Sequence, residues 1–78
     1  MEITSGCVVR SRAGHDKGRV YVVLAVRDGY AELADGELRK LARPKRKNVI
    51  HLAYLGKIDT AEAVTEDHVL RKHLSSWR

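Results

Sequence analysis

Val20-Tyr21-Val22-Val23-Leu24-Ala25-Val26-Arg27-Asp28-Gly29-Tyr30-Ala31-Glu32-Leu33-Ala34-Asp35-Gly36 decides how this chain folds. Two Asp-Gly pairs divide it into short apolar runs, and Asp-Gly between such runs favours a two-residue turn with positive φ at both central positions. The run before Asp28 is apolar at nearly every position, which predicts a strand covered on both faces. Asp35-Gly36 predicts a second turn, leading into a third strand over Glu37–Leu41. Leu38 and Leu41 stand three apart rather than two, which predicts a bulge or a bent strand end.

Working outward, Cys7–Ser11 is a short β-branched run expected to pair with the first meander strand. Arg12-Ala13-Gly14-His15-Asp16-Lys17-Gly18 must turn between them, with Gly14 and Gly18 supplying conformations other residues resist. Beyond the meander, Pro44 opens an expected tight cationic turn, and Asn48–Ala53 reads as a fifth strand. Five short strands with small turns predict a mostly β fold, a small five-stranded barrel.

The C-terminus changes period. Thr65 is a candidate cap for a helix with Glu66 and Asp67 in its first turn and Arg71, Lys72 and His73 in its last, the polarity that suits the helix dipole. Leu70, Leu74 and Trp77 form one narrow apolar stripe. The expected organisation is a barrel over 1–55, a linker over 56–64, and a short α-helix over 65–75. A helix that short must dock on the barrel or on a partner.

The chain has 78 residues, 44% of them hydrophobic, so one small domain is expected rather than a disordered basic tail. Its longest apolar run, Val20–Val26, is far shorter than the ~20 residues that span a bilayer. Met1-Glu2-Ile3-Thr4-Ser5 lacks the basic and apolar stretches of a signal peptide, so a soluble, cytoplasmic protein without membrane contact is expected. The lone Cys7 excludes an internal disulfide and a four-cysteine zinc site.

The net charge of +5 is unevenly distributed. Residues 1–38 hold five Lys/Arg against six acids, and residues 52–78 hold four of each sign. The intervening 39–51 segment holds Arg39, Lys40, Arg43, Lys45, Arg46 and Lys47 with no acid, and ends at His51. A near-neutral body with one cationic segment is the footprint of a polyanion binder, since clustered cations displace counterions from phosphates. The blander alternative is a solvated charged face. Adjacent Arg39 and Lys40 would point to opposite faces of an extended strand.

Other chemistries lack the residues they need. His68 and His73 are five apart and point to different faces of a helix, while His15 and His51 lie in separate elements, so no metal site is expected. Cys7 reads as a small buried strand residue rather than a nucleophile. Gly14-x-x-x-Gly18 lacks the lysine and hydroxyl of a nucleotide-binding loop. No enzyme constellation and no cofactor motif stand out. Three Tyr, one Trp and no Phe are too few to stack several unpaired bases, or to build the aromatic groove of a peptide-binding module.

Gly6-Cys7-Val8-Val9-Arg10-Ser11, Gly14-His15-Asp16-Lys17-Gly18-Arg19 and Val22-Val23 together resemble the KOW motif of RNA-binding and ribosomal proteins. With Asp35-Gly36-Glu37-Leu38-Arg39-Lys40-Leu41 and Pro44-Lys45-Arg46-Lys47-Asn48 added, the stretch 5–53 resembles the fourteen-e type large-subunit ribosomal proteins and their short Gram-positive relatives. Tyr21 stands where many KOW proteins carry a third glycine, a departure that points to this branch. The resemblance implies an SH3-like barrel, and a monomer is expected when the protein is free. It also implies binding to structured RNA, ribosomal RNA foremost, through phosphate and shape, in a ribosome or translation setting alongside ribosomal proteins.

Arg39, Lys40, Arg43, Lys45, Arg46 and Lys47 are then the first candidates for RNA contact, joined by Arg12, His15, Lys17 and Arg19 of the glycine-bearing loop. Gly14, Gly18, Asp28, Gly29, Asp35, Gly36 and Pro44 are expected to shape the backbone that carries them. Asp16 reads as structural, because its charge would repel phosphate; a plain turn capped by Asp16 is the alternative for this loop. The alternative function is a protein-interaction adaptor that uses the C-terminal helix and its apolar stripe.

Overall fold

Asp28 and Gly29 both take positive φ, +50° and +79°, and reverse the chain between strands β2 (Val20–Arg27) and β3 (Tyr30–Ala34). This is the conformation an Asp-Gly hairpin requires. The computed structural model describes residues 2–78. β1 (Cys7–Ser11) pairs with β2 as expected, through Val8–Val22, Val9–Tyr21 and Arg10–Val20. The ladder between β2 and β3 shifts register between Val23 and Ala25. That bulge adds local bend and twist to the longest strand.

The second Asp-Gly pair behaves differently. Asp35 is buried, and its Oδ1 accepts the backbone N–H groups of Glu37 (2.9 Å) and Arg39 (2.8 Å). The N–H groups of Asp35 and Gly36 in turn donate to the Arg39 carbonyl. A carboxylate that satisfies nearby backbone donors competes directly with a strand ladder. The expected strand over Glu37–Leu41 is therefore replaced by a loop. Its place beside β3 is taken by β4 (Lys45–Asn48), the run expected as a cationic turn. An edge strand built of Lys, Arg and Asn shows no apolar alternation, and such charge is a common defence of exposed edges.

The expected fifth strand, Asn48–Ala53, is also revised. Asn48 ends β4, and its Oδ1 accepts the Ile50 N–H to open a 3-10 turn over Val49–His51. Strand β5 begins only at Leu52 and runs to Lys57. The expected linker 56–64 holds the end of β5 and a short helix α1 (Thr60–Ala63), whose first turn is capped by Asp59 through the Ala61 N–H (2.9 Å). Thr65 is not a cap. Helix α2 (Asp67–Leu74) starts after Glu66, which makes no side-chain cap bond. The expected charge polarity is present, with Asp67 in the first turn and Arg71, Lys72 and His73 in the last.

The sheet is antiparallel throughout, in the order β4-β3-β2-β1-β5. Its edges, β4 and β5, do not pair with each other among the described residues, so the sheet is open rather than a closed barrel. Cys7, Val9, Tyr21, Val23, Ala31, Leu33 and Leu52 form one buried cluster. Val8, Val20, Val22 and Ala34 form a second on the alternate strand positions, closed over by Leu70 and Leu74. Burial on both faces explains why β2 is apolar almost throughout.

The C-terminal stripe thus docks on its own sheet. Leu70 and Leu74 are both 0% exposed, which contributes about 2 kcal/mol each. The Trp77 indole lies against Gly56 of β5, where a Cβ would collide with the ring. Leu70 and Leu74 are thus covered within the chain itself, while Trp77 is half-buried. No helix among the described residues is long and apolar enough to cross a membrane.

Candidate nucleic-acid interface

The loop between β1 and β2 is closed by its own backbone. The N–H groups of Lys17, Gly18 and Arg19 donate to the carbonyls of Gly14, Ser11 and Asp16. Gly18 takes φ +92°, which a side-chain-bearing residue would adopt only under strain. The Asp16 carboxylate is not spent on this turn. It accepts from Ser11 Oγ (2.8 Å), Tyr21 OH (2.7 Å) and Lys47 Nζ (2.9 Å), and lies 3.6 Å from Lys45 Nζ. The expectation that Asp16 is structural stands on geometry different from a cap.

Burial by itself would raise the Asp16 carboxyl. Hydrogen bonds from Tyr21, Lys47 and Ser11, with the Lys45 ammonium beside it, outweigh that effect and hold it well below the usual carboxylate range. The Tyr21 phenol moves the opposite way. Burial, the hydrogen bond to Asp16 and the Asp16 charge all push it upward.

Strand alternation divides the cationic run. In the β3–β4 ladder, Lys45 and Lys47 stand opposite Leu33 and Ala31, so they point to the face that carries Asp16. Lys47 is held by Asp16 and by the Ala13 carbonyl (2.9 Å), and only 11% of its side chain is exposed. Arg46 stands opposite Glu32 on the other face, its Cζ 4.0 Å from the centre of the Tyr30 ring. The six cations of 39–51 therefore do not form one patch. Lys47 is consumed internally, Arg46 is turned away, and Arg39, Lys40 and Arg43 are exposed on the loop before β4.

A second carboxylate ties that loop to the first. Asp35 Oδ2 accepts from Arg19 Nε at 3.1 Å and pairs with Arg19 Nη2 at 3.1 Å, while Oδ1 fixes the Arg39 backbone. The far side of the loop is anchored on α2. The Leu41 N–H donates to Asp67 Oδ1 (2.7 Å), and Gly36, with φ +77°, packs against the Asp67 carbonyl.

These constraints bring the two expected cationic segments together around one open hollow of about 450 Å³. Lys17, Arg19, Arg39 and Lys45 line it with His15 and the exposed Leu38, while Asp16 and Tyr21 lie within the same hollow. Other candidates lie elsewhere. Lys40 lines a different hollow with Asp67 and Arg71, while the extended strand expected to part it from Arg39 is a loop. Arg12 and Arg43 are exposed but do not line the hollow; their backbone N–H groups donate to the His51 and Lys40 carbonyls.

Sequence reasoning missed Tyr21 and Leu38 as lining residues. It took Asp35 only as a turn residue. A lone Tyr in an aliphatic strand and an unpatterned Leu beside Arg-Lys were the available signals. Among the described residues no three His, Cys, Asp or Glu side chains are grouped so as to hold a metal ion. No protein-family model matches the chain, and no curated protein matches it closely enough to count as a relative.

Proposed function

We propose that this protein binds structured RNA, ribosomal RNA foremost, as a KOW-type domain in a ribosome- or translation-associated setting. The observation that carries the reading is the meeting of Lys17 and Arg19 from one loop with Arg39 and Lys45 from another at a single hollow. Cations gathered at one hollow from two loops suit phosphate recognition. Asp16 lies among them, but its charge is offset by Lys45 and Lys47. The sheet order β4-β3-β2-β1-β5, with a 3-10 turn joining the two edge strands, supports an SH3-like architecture left open at that seam.

The test is RNA affinity against salt. With about three to five phosphate contacts, log K falls against log salt with a slope of roughly −2 to −5. Lys17→Ala with Arg39→Ala should weaken binding across many sequences and flatten that slope by about two. Salt-independent affinity, or unchanged affinity in the double variant, would remove the hollow from RNA contact.

A further inference from the structure

Phosphate contact alone leaves part of the lining of the hollow without a role. Its rim is cationic, yet Leu38 stands 70% exposed beside Arg39, and the Tyr21 phenol closes part of the wall with its hydroxyl already donated to Asp16. The hollow therefore presents cations at its edge and carbon surface next to them.

A regular RNA duplex is a poor fit for that shape. Its phosphates follow a convex outer surface and its bases are stacked inside, so a helix could touch the rim without filling the hollow. An unstacked nucleotide offers what is missing: a phosphate for the cations, and a ribose and base face for Leu38. One aliphatic side chain can cover one such group, and the shortage of aromatic residues argues only against stacking several.

We infer that this hollow seats a single unpaired nucleotide, so that the preferred RNA carries a bulged or looped-out residue at the contact. The inference rests on the RNA-binding reading above and specifies the feature of RNA that it recognises. Leu38 acts as the apolar wall, and Lys17 and Arg39 hold the flanking phosphates beside Arg19 and Lys45, whose charges are shared with Asp35 and Asp16. Asp35 joins the two loops that carry Arg19 and Arg39, binding the guanidinium of one and the backbone of the other.

The experiment compares a short RNA duplex with the same duplex carrying one bulged nucleotide, by fluorescence anisotropy at fixed salt. The bulged RNA should bind at least about tenfold more tightly, a difference of roughly 1.4 kcal/mol. Leu38→Ser should erase that preference, lowering affinity for the bulged RNA by at least about fivefold more than affinity for the duplex. The exposure of Leu38 makes this variant safe for the fold, which circular dichroism checks. Equal affinity for the two RNAs, or a preference that survives Leu38→Ser, overturns the single-nucleotide seat but leaves RNA binding in place. Failure to bind either RNA overturns both. A free nucleoside monophosphate that binds as tightly as the bulged RNA also overturns the inference, since the hollow would then serve a small metabolite.

Discussion

Lys47 Nζ donates to Asp16 Oδ1 at 2.9 Å, joining the loop between β1 and β2 to the edge strand β4 across 31 residues of chain. This contact turns one of the six clustered cations into a structural clasp. It also separates residues that serve the fold from residues left free for a polyanion.

Lys47→Ala and Arg39→Ala should therefore fail in different ways. Loss of the Lys47 ammonium removes one charged donor from the Asp16 carboxylate, which keeps Ser11 and Tyr21, and one donor from the Ala13 carbonyl, at a cost of about 1–3 kcal/mol in urea unfolding. Arg39 is exposed, so its loss should change stability by less than about 0.5 kcal/mol while reducing the salt slope of RNA binding by about one.

Stability should fall on both sides of a plateau in pH. The Asp16 carboxyl is depressed in the folded state, so its contribution is present above the unfolded value of about 3.9 and is lost as pH falls towards the folded value. The Tyr21 phenol is raised, so its contribution is present below about 10 and is lost as pH climbs beyond it. Asp16→Asn should flatten the acid limb and Tyr21→Phe the alkaline limb. Unfolding midpoints measured from pH 2 to 11 check both.

Gly56→Ala should loosen the C-terminal segment. The added methyl occupies space held by the Trp77 indole, and the ring must shift. A loss of about 1–3 kcal/mol is expected, with a red shift of tryptophan fluorescence as the sole indole gains water.

Gly36→Ala should couple stability to RNA contact. Positive φ and the adjacent Asp67 carbonyl both oppose a side chain there, so the loop bearing Arg39 must move away from α2. Stability should drop by about 2 kcal/mol or more, and RNA affinity should fall although no cation is removed. Full RNA affinity in a folded Gly36→Ala variant would show that α2 does not position the loop.

Much of the fold was legible because its local signals are strong. Asp28-Gly29 defines a hairpin through its own φ preferences, and the unbroken apolar run of β2 reports burial on two faces. The second Asp-Gly pair misled because the local chemistry is the same while the Asp35 carboxylate is spent differently. Only its partners Arg19, Glu37 and Arg39 reveal that it organises a loop. β4 was obscured for a related reason. A charged edge strand has no hydrophobic period to read, and its pairing depends on where β3 lies.

The sequence by itself determined the class of this protein: a small, mostly β chain with one hairpin certain from its turn, a two-sided central strand, a C-terminal apolar stripe in need of a cover, and all its excess charge in 13 residues. Tertiary structure decided what those charges do. Alternation along β4 sends Lys45 and Lys47 to Asp16 and Arg46 to Tyr30, whereas Asp35 draws Arg19 and Arg39 together from loops far apart in the chain. Composition counts cations, but whether each is neutralised or free depends on partners that only folding brings within hydrogen-bond reach.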